Sequence, residues 1–193
     1  EEIIDIEESE KEIKEKKFKE NLIDKEWGKY ESKFSKDFVD NDYPDQQSKE
    51  KKAINNMLVN SIKESGIPED SQTYLILENI RINTIKAILL YNTKVKIYVP
   101  ECITETCYKI AEKVYKHFPD QREQVDFYPG NMLDSTFIRE LSEEQRQPFP
   151  NIAFLDFTNT FKTNHSTINE ILKVWGKDSD SVKVLALTFS LRG

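Results

Sequence analysis

The sequence predicts an α/β fold in which helices cover both faces of a doubly wound, parallel sheet. Five short apolar runs alternate with segments whose apolar residues recur at helical spacing. The stretch between the first two runs also has the length that a parallel crossover needs. Because such crossovers are right-handed, few strand orders remain, and 3-2-1-4-5 is the commonest for this pattern.

The central unit of the predicted sheet runs from Tyr74 to Glu101. It consists of a strand over 74–77, a helix, and a second strand over 95–99, and the acids Glu78 and Glu101 follow the two strands. Open parallel sheets bind their ligands at the carboxyl ends of the strands, so these acids are candidate site residues. The loop over 79–83 contains no glycine, although a close approach between backbone and ligand usually requires one.

The remaining elements follow from apolar periodicity and from turn residues. A helix is predicted from Ser48 to a stop at Gly66 and Pro68. It should cover the sheet with an apolar face made of Ala53, Ile54, Met57, Leu58 and Ile62. After Glu101 the pattern predicts a helix ending before Phe118, a strand over 125–128, a helix over 135–141, a strand over 152–157, a helix over 166–175 and a strand over 182–189.

Residues 1–44 are predicted to form a charged helical extension ahead of the domain over 45–193. Large apolar residues recur there at steps of three to five, namely Phe18, Leu22, Trp27, Tyr30, Phe34 and Phe38. This aromatic stripe either packs on its own domain or docks onto another protein. Because large aromatic side chains dominate the energetics of interfaces, we expect Trp27, Tyr30 and Phe34 to bind a partner protein.

Composition excludes several classes of function. The net charge is -7, and only five of the 28 basic residues are Arg, so nucleic acid is expected as a ligand only within a complex. Two cysteines and two histidines do not give the spacing of a zinc site, and no metal is expected. No signal peptide and no apolar run of membrane-spanning length is found, so we expect an intracellular protein that does not associate with membranes.

The predicted strand ends carry Glu78, Glu101, the Pro129-Gly130-Asn131 turn and the segment Asp156-Phe157-Thr158-Asn159. From about Gln47 to Arg192 this succession resembles the class I S-adenosylmethionine-dependent methyltransferases, which have a Rossmann-like fold. The resemblance implies that Glu78 precedes the cofactor loop, Glu101 binds the ribose, Asn131 contacts the adenine and Asp156 opens the catalytic loop. S-adenosylmethionine is then the cofactor if the chain is active.

The sequence departs from that family in the cofactor loop and after the fourth strand. The glycine-rich loop is missing, and Asp156 is not followed by the two prolines and the aromatic residue of nucleic-acid amino-methyltransferases. We therefore expect no bound cofactor and a structural role for Asp156, capping the turn at Thr158 and Asn159.

These departures favour a degenerate, non-catalytic methyltransferase-like domain. By the resemblance, such a pseudo-enzyme would support a nucleic-acid methyltransferase complex, for instance one that methylates DNA adenine, by binding its catalytic subunit or another protein, and the sequence leaves open whether the substrate is DNA or RNA. A nuclear location is then favoured over a cytoplasmic one. Two alternatives stay open. The chain is an active methyltransferase with an unorthodox cofactor loop and Asp156 nearest the acceptor, or it is a nucleotide-binding or adaptor Rossmann domain.

Overall fold

The computed structural model describes residues 49–129, 135–143, 149–157, 161–177 and 180–189. Five strands form one sheet in the order β3-β2-β1-β4-β5, and every neighbouring pair is parallel. The strands are β1 Thr73–Ile76, β2 Lys96–Glu101, β3 Val125–Pro129, β4 Ile152–Asp156 and β5 Val184–Thr188. The predicted Rossmann-like fold class and strand order are therefore confirmed.

In the described part of the chain, five helices cover the two faces of this sheet. They are α1 Lys49–Ser65, α2 Asn83–Tyr91, α3 Thr104–His117, α4 Ser135–Glu143 and α5 Phe161–Gly176, with short 3-10 segments at Glu69–Ser71 and Pro119–Gln124. Buried side chains of α1, α2 and α3 share one core cluster with one face of the sheet. Buried side chains of α4 and α5 share a second cluster with the other face.

The central strands are buried on both faces. In β1, Tyr74 and Ile76 belong to the first core cluster, and Leu75 belongs to the second. Because parallel strands of this kind contact helices on both sides, they read as continuous apolar runs rather than as an alternating pattern. This explains why short apolar runs were sufficient to locate the strands in the sequence.

Helix α1 covers the sheet with most of the predicted face. Leu58 and Ile62 are buried and Ile54 packs against the same core cluster, whereas Ala53, which was also predicted to face inward, is exposed. Met57 is 68% exposed, whereas Asn55, which is polar, is buried. The Thr84 hydroxyl donates a hydrogen bond to Asn55 Oδ1 over 3.3 Å, and this contact with α2 accommodates an amide on the inner side. The predicted position of Met57 in the apolar face is therefore wrong. The helix stops where predicted, at Gly66 with φ of 73°.

Helix α5 begins five residues earlier than predicted. It starts at Phe161 rather than Ser166, and the Phe161 ring packs edge-on against Phe189, with ring centroids 5.6 Å apart. Near its other end, Trp175 is buried and donates a hydrogen bond from Nε1 to the carbonyl of Pro150 over 2.7 Å. Long-range contacts therefore fix both ends of this helix.

Several sequence predictions lie outside the described residues. They include the extension over 1–44 with Trp27, Tyr30 and Phe34, and Asn131 in the turn after β3. Within the described ranges, no helix combines the length and the apolar character that are needed to cross a membrane.

Candidate functional site

The carboxyl ends of the five parallel strands meet at one edge of the sheet. The strand order places β1 beside β4, so the direction of winding reverses between these two strands. Ligands of open α/β sheets bind in the crevice at such a switch point. Glu78 lies two residues after β1, Asp156 ends β4, and Glu101 ends β2, so the fold brings these three predicted site residues to the same edge.

Glu78 is buried and caps the N-terminus of α2. Its Oε2 accepts hydrogen bonds from the backbone N–H groups of Thr84 at 3.0 Å and Ile85 at 2.9 Å, and its Oε1 accepts one from Asn79 at 3.0 Å. The first amides of a helix have no partner inside the helix, and they attract negative charge. In this chain the carboxylate of Glu78 already uses two of them.

The protonation of Glu78 reflects opposing effects. Burial raises the pKa of its carboxyl group from 4.5 to about 7, because the charged form loses its contact with water. The three backbone hydrogen bonds and the positive charge of Lys51 lower the pKa and partly offset this shift. Glu78 therefore changes its charge close to neutral pH.

The loop after β1 contains no glycine and has isoleucine at positions 80 and 82. Ile82 has φ of 51° and ψ of 31°, in the left-handed region that β-branched residues rarely adopt. Its backbone N–H donates to the carbonyl of Asn79 over 3.0 Å, and its side chain is fully buried in the first core cluster. Ile80 packs against the same cluster. The loop thus keeps a tight turn while its side chains fill the space beside it.

Glu101 is only partly exposed and binds the turn that leads into α3. Its Oε1 accepts hydrogen bonds from the backbone N–H of Ile103 at 2.9 Å and from the Cys102 thiol at 3.3 Å. Burial raises the pKa of the Glu101 carboxyl above its usual value. Burial and the adjacent carboxylate also raise the pKa of Cys102 to about 12, so this thiol is a poor nucleophile at neutral pH.

Asp156 contacts two residues that the sequence analysis did not include in the site. Its Oδ2 forms an ion pair with Lys51 Nζ of α1, and its Oδ1 accepts a hydrogen bond from the hydroxyl of Thr188. Thr188 could have been found by applying the strand-end rule to β5, since the register pairs it with Asp156. The sequence around Lys51 contains no pattern that predicts its contact with Asp156. The predicted cap at Thr158 and Asn159 lies outside the described residues.

Aromatic rings lie directly beside Asp156. Phe157 is buried and stacks on Phe189, with ring centroids 5.6 Å apart and an angle of 14° between the ring planes. Phe161, which packs on the same ring, is 57% exposed. Of the two rings that pack on Phe189, that of Phe157 is therefore buried beside the end of β4, and that of Phe161 remains at the surface.

In the described part of the chain, no group of three or more His, Cys, Asp or Glu side chains could hold a metal ion.

No protein-family model and no curated protein matches this sequence. Solved structures that match include a candidate caffeoyl-CoA O-methyltransferase from Staphylococcus aureus. Its sequence identity to this chain is 10% and the TM-score is 0.48, and the matched region covers 63% of this chain and 52% of that protein. A candidate methylase from Haemophilus influenzae has 14% identity and a TM-score of 0.46, and the matched region covers 70% of this chain and 72% of that protein.

An O-methyltransferase family protein from Burkholderia thailandensis has 14% identity and a TM-score of 0.42, over 64% of this chain and 37% of its own. The chain therefore spans about half the length of the Staphylococcus aureus protein and little more than a third of the one from Burkholderia thailandensis. At such identities the likeness concerns the fold alone. The fold assigned to this chain rests on its own strand order and register.

Proposed function

We propose that this chain is a non-catalytic, methyltransferase-like subunit that supports a nucleic-acid methyltransferase complex through protein contacts. The observation that carries the proposal is the capping of α2 by Glu78. Its carboxylate accepts the N–H groups of Thr84 and Ile85, which a Rossmann-like fold would otherwise offer at the ligand crevice. A cofactor would have to compete with this buried internal contact.

Two further features support the absence of catalysis. Ile80 and Ile82 fill the space beside the loop in which glycine normally lets a cofactor approach the backbone. At the switch point, Lys51 of α1 reaches across to Asp156, the residue that would open a catalytic loop. This ion pair offsets the charge of the carboxylate that would act on an acceptor group.

The proposed partner is the catalytic subunit of the complex, with DNA adenine as the proposed target of methylation. The proposed contact is the aromatic stripe, with Trp27, Tyr30 and Phe34 as its anchors. Their spacing of three and four residues places them on one side of a helix, and aromatic residues of this kind supply most of the energy of many interfaces. We propose that the complex is located inside the cell, in the nucleus.

Calorimetry with S-adenosylmethionine and the isolated chain tests the absence of cofactor binding. We expect no measurable heat of binding. A dissociation constant in the low micromolar range that is lost in Glu101→Ala, but kept in the control Glu112→Ala, would contradict the proposal. Glu112 is a suitable control because it is an exposed acid in the middle of α3, away from the strand ends.

An active methyltransferase is the second candidate, and the position of Glu101 favours it. This acid ends β2 and is partly exposed, as a ligand for ribose hydroxyls would be. The test is Asp156→Asn in a complex that is reconstituted from this chain and a partner protein captured on it. The amide keeps the shape of the side chain but removes its charge. A scaffold should keep nearly full methylation activity. A loss of about a hundredfold with assembly unchanged would show that Asp156 takes part in the chemistry.

An adaptor domain outside any methyltransferase complex is the third possibility, and capture of partners distinguishes it from the first. Mass spectrometry of proteins bound to the full chain should find a methyltransferase catalytic subunit. Partners without such a subunit would contradict our proposal and favour an adaptor.

A further inference from the structure

Strand β5 is an edge strand whose residues are apolar apart from Thr188. Within the described ranges it pairs only with β4, and all five of its residues are partly exposed, whereas β1, β2 and β4 are almost fully buried. Its sequence, Val184–Thr188, contains neither a charge nor a proline. Proteins normally protect exposed edges with such residues, so this edge is of the kind that another segment covers.

The neighbouring flank of α5 is apolar as well. Phe161 is 57% exposed and Leu172 is 47% exposed. They are eleven positions apart in the sequence, which corresponds to about three helical turns, so both lie on one side of the helix. Since Phe161 packs on Phe189 directly after β5, this side faces the edge strand. We define the β5 edge surface by its apolar members, Phe161, Leu172, Val182, Leu185, Leu187 and Phe189.

The chain that precedes α1 starts beside this surface. Lys51, in the first turn of α1, pairs with Asp156, and Asp156 in turn accepts a hydrogen bond from Thr188 at the end of β5. Residues 1–48 therefore join the domain at the carboxyl end of the edge strand. An extended chain covers about 3.3 Å per residue, so residues 18–38 are within reach of every part of the surface.

Charge favours the same pairing. Residues 1–48 contain nine Lys and 16 Asp or Glu, a net charge of 9 − 16 = -7. From residue 161 to residue 189 the sequence has four lysines, Lys162, Lys173, Lys177 and Lys183, and three acids, Glu170, Asp178 and Asp180, a net charge of 4 − 3 = +1. The attraction between the acidic segment and this slightly positive region helps to orient a contact whose energy comes from apolar burial.

We propose that in the free chain the aromatic stripe, Phe18 to Phe38, binds the β5 edge surface of its own domain. The inference goes beyond the proposed function, because it concerns the chain before any partner is bound. It identifies a surface on which large aromatic residues can be buried when no partner covers them. A partner that binds Trp27, Tyr30 and Phe34 must then compete with this surface.

A photo-crosslinking experiment on the full chain tests the contact directly. A photoreactive phenylalanine analogue replaces Leu172 in one variant and Leu90 in the control. Leu90 is also an exposed helical leucine, at 82%, but it lies on α2 on the opposite face of the sheet. We expect crosslinks from position 172 to peptides of residues 18–38 of the same chain, independent of protein concentration. Crosslinks between two chains, to other segments, or no more than at position 90 would overturn the proposal.

Limited proteolysis with chymotrypsin, which cleaves after aromatic residues, provides a second measurement. Leu172→Glu should raise the rate of cleavage within residues 18–38 by about tenfold, because the released stripe is open to the protease. Leu90→Glu should leave that rate unchanged. Equal rates in the two variants would contradict binding to the β5 edge surface.

Discussion

Glu78 is buried, and two effects of its surroundings act on its charge in opposite directions. As a charged carboxylate it satisfies three backbone amides, but burial favours the neutral acid and brings its pKa to about 7. A helix cap whose charge changes near neutral pH links the stability of the fold to pH. The direction of this link follows from the shift.

The folded protein should become less stable as the pH rises from about 4.5 to 7. In this window the folded state binds a proton at Glu78 more tightly than the unfolded state does, so the free energy of unfolding falls as the proton is lost. The change amounts to at most about 3 kcal/mol. Glu78→Gln should remove most of this dependence in urea unfolding at pH 5 and pH 7.5. A slope as steep as in the parent chain would show that other groups cause it, and Glu64→Gln, an exposed acid of α1, is the control.

Ile82 should show an unusual order of stability when it is replaced. Ile82→Ala and Ile82→Gly both lose a buried side chain, which costs about 3 kcal/mol. In the interior of a helix, glycine is less stabilising than alanine by up to about 1 kcal/mol, but the left-handed backbone at Ile82 reverses that preference. Chemical unfolding should therefore find Ile82→Gly at least as stable as Ile82→Ala. The usual order would argue against a left-handed turn.

Elements were predictable from the sequence where local pattern and tertiary packing agree. Apolar runs located the five described strands, because side chains of each strand pack against the core clusters on the two faces of the sheet and are therefore mostly apolar. In α1, Ile54, Leu58 and Ile62 were predicted to face inward and do so, but the burial of Asn55 was not predictable, since it depends on a hydroxyl of α2 that lies 29 residues away. The start of α5 depends in the same way on the ring of Phe189.

The same limit applies to the candidate site. The strand-end rule placed Glu78, Glu101 and Asp156 correctly at one edge, because parallel strands deliver their carboxyl ends together. It did not reveal that Glu78 bonds to backbone amides or that Lys51 crosses to Asp156. Such contacts depend on how α1 and α2 pack against the sheet, and no local sequence pattern predicts that packing.

Substitutions in α1 should reflect the observed face rather than the predicted one. Asn55→Ala should lower the free energy of unfolding by about 1 to 2 kcal/mol, because it leaves the buried hydroxyl of Thr84 without this acceptor. Met57→Ala should change it by less than about 0.5 kcal/mol, because that side chain is exposed. Denaturant midpoints of the two variants test this, and a larger loss for Met57→Ala would mean that the helix is rotated.

At the scale of the whole molecule, the domain and the aromatic stripe are expected to act together in an assembly. Replacing both Trp27 and Phe34 with Ala should weaken binding of the captured catalytic partner by at least about 2 kcal/mol, since interface anchors typically lose that much on truncation. Titration of the purified partner measures the change, with Phe18→Ala at the edge of the stripe for comparison. Unchanged affinity together with a lower melting temperature would show that the stripe serves only internal packing.

The burial of Trp175 makes it a reporter of the layer formed by α4, α5 and the sheet. Its indole is shielded from water and donates to the carbonyl of Pro150 just before β4. Such an environment shifts the fluorescence of a tryptophan to shorter wavelength, and unfolding shifts it back. The chain has only two tryptophans, so Trp27→Phe leaves Trp175 as the sole indole emitter. The emission of that variant reports the unfolding of the domain. The difference between its emission and that of the parent chain comes from Trp27 and reports on the aromatic stripe.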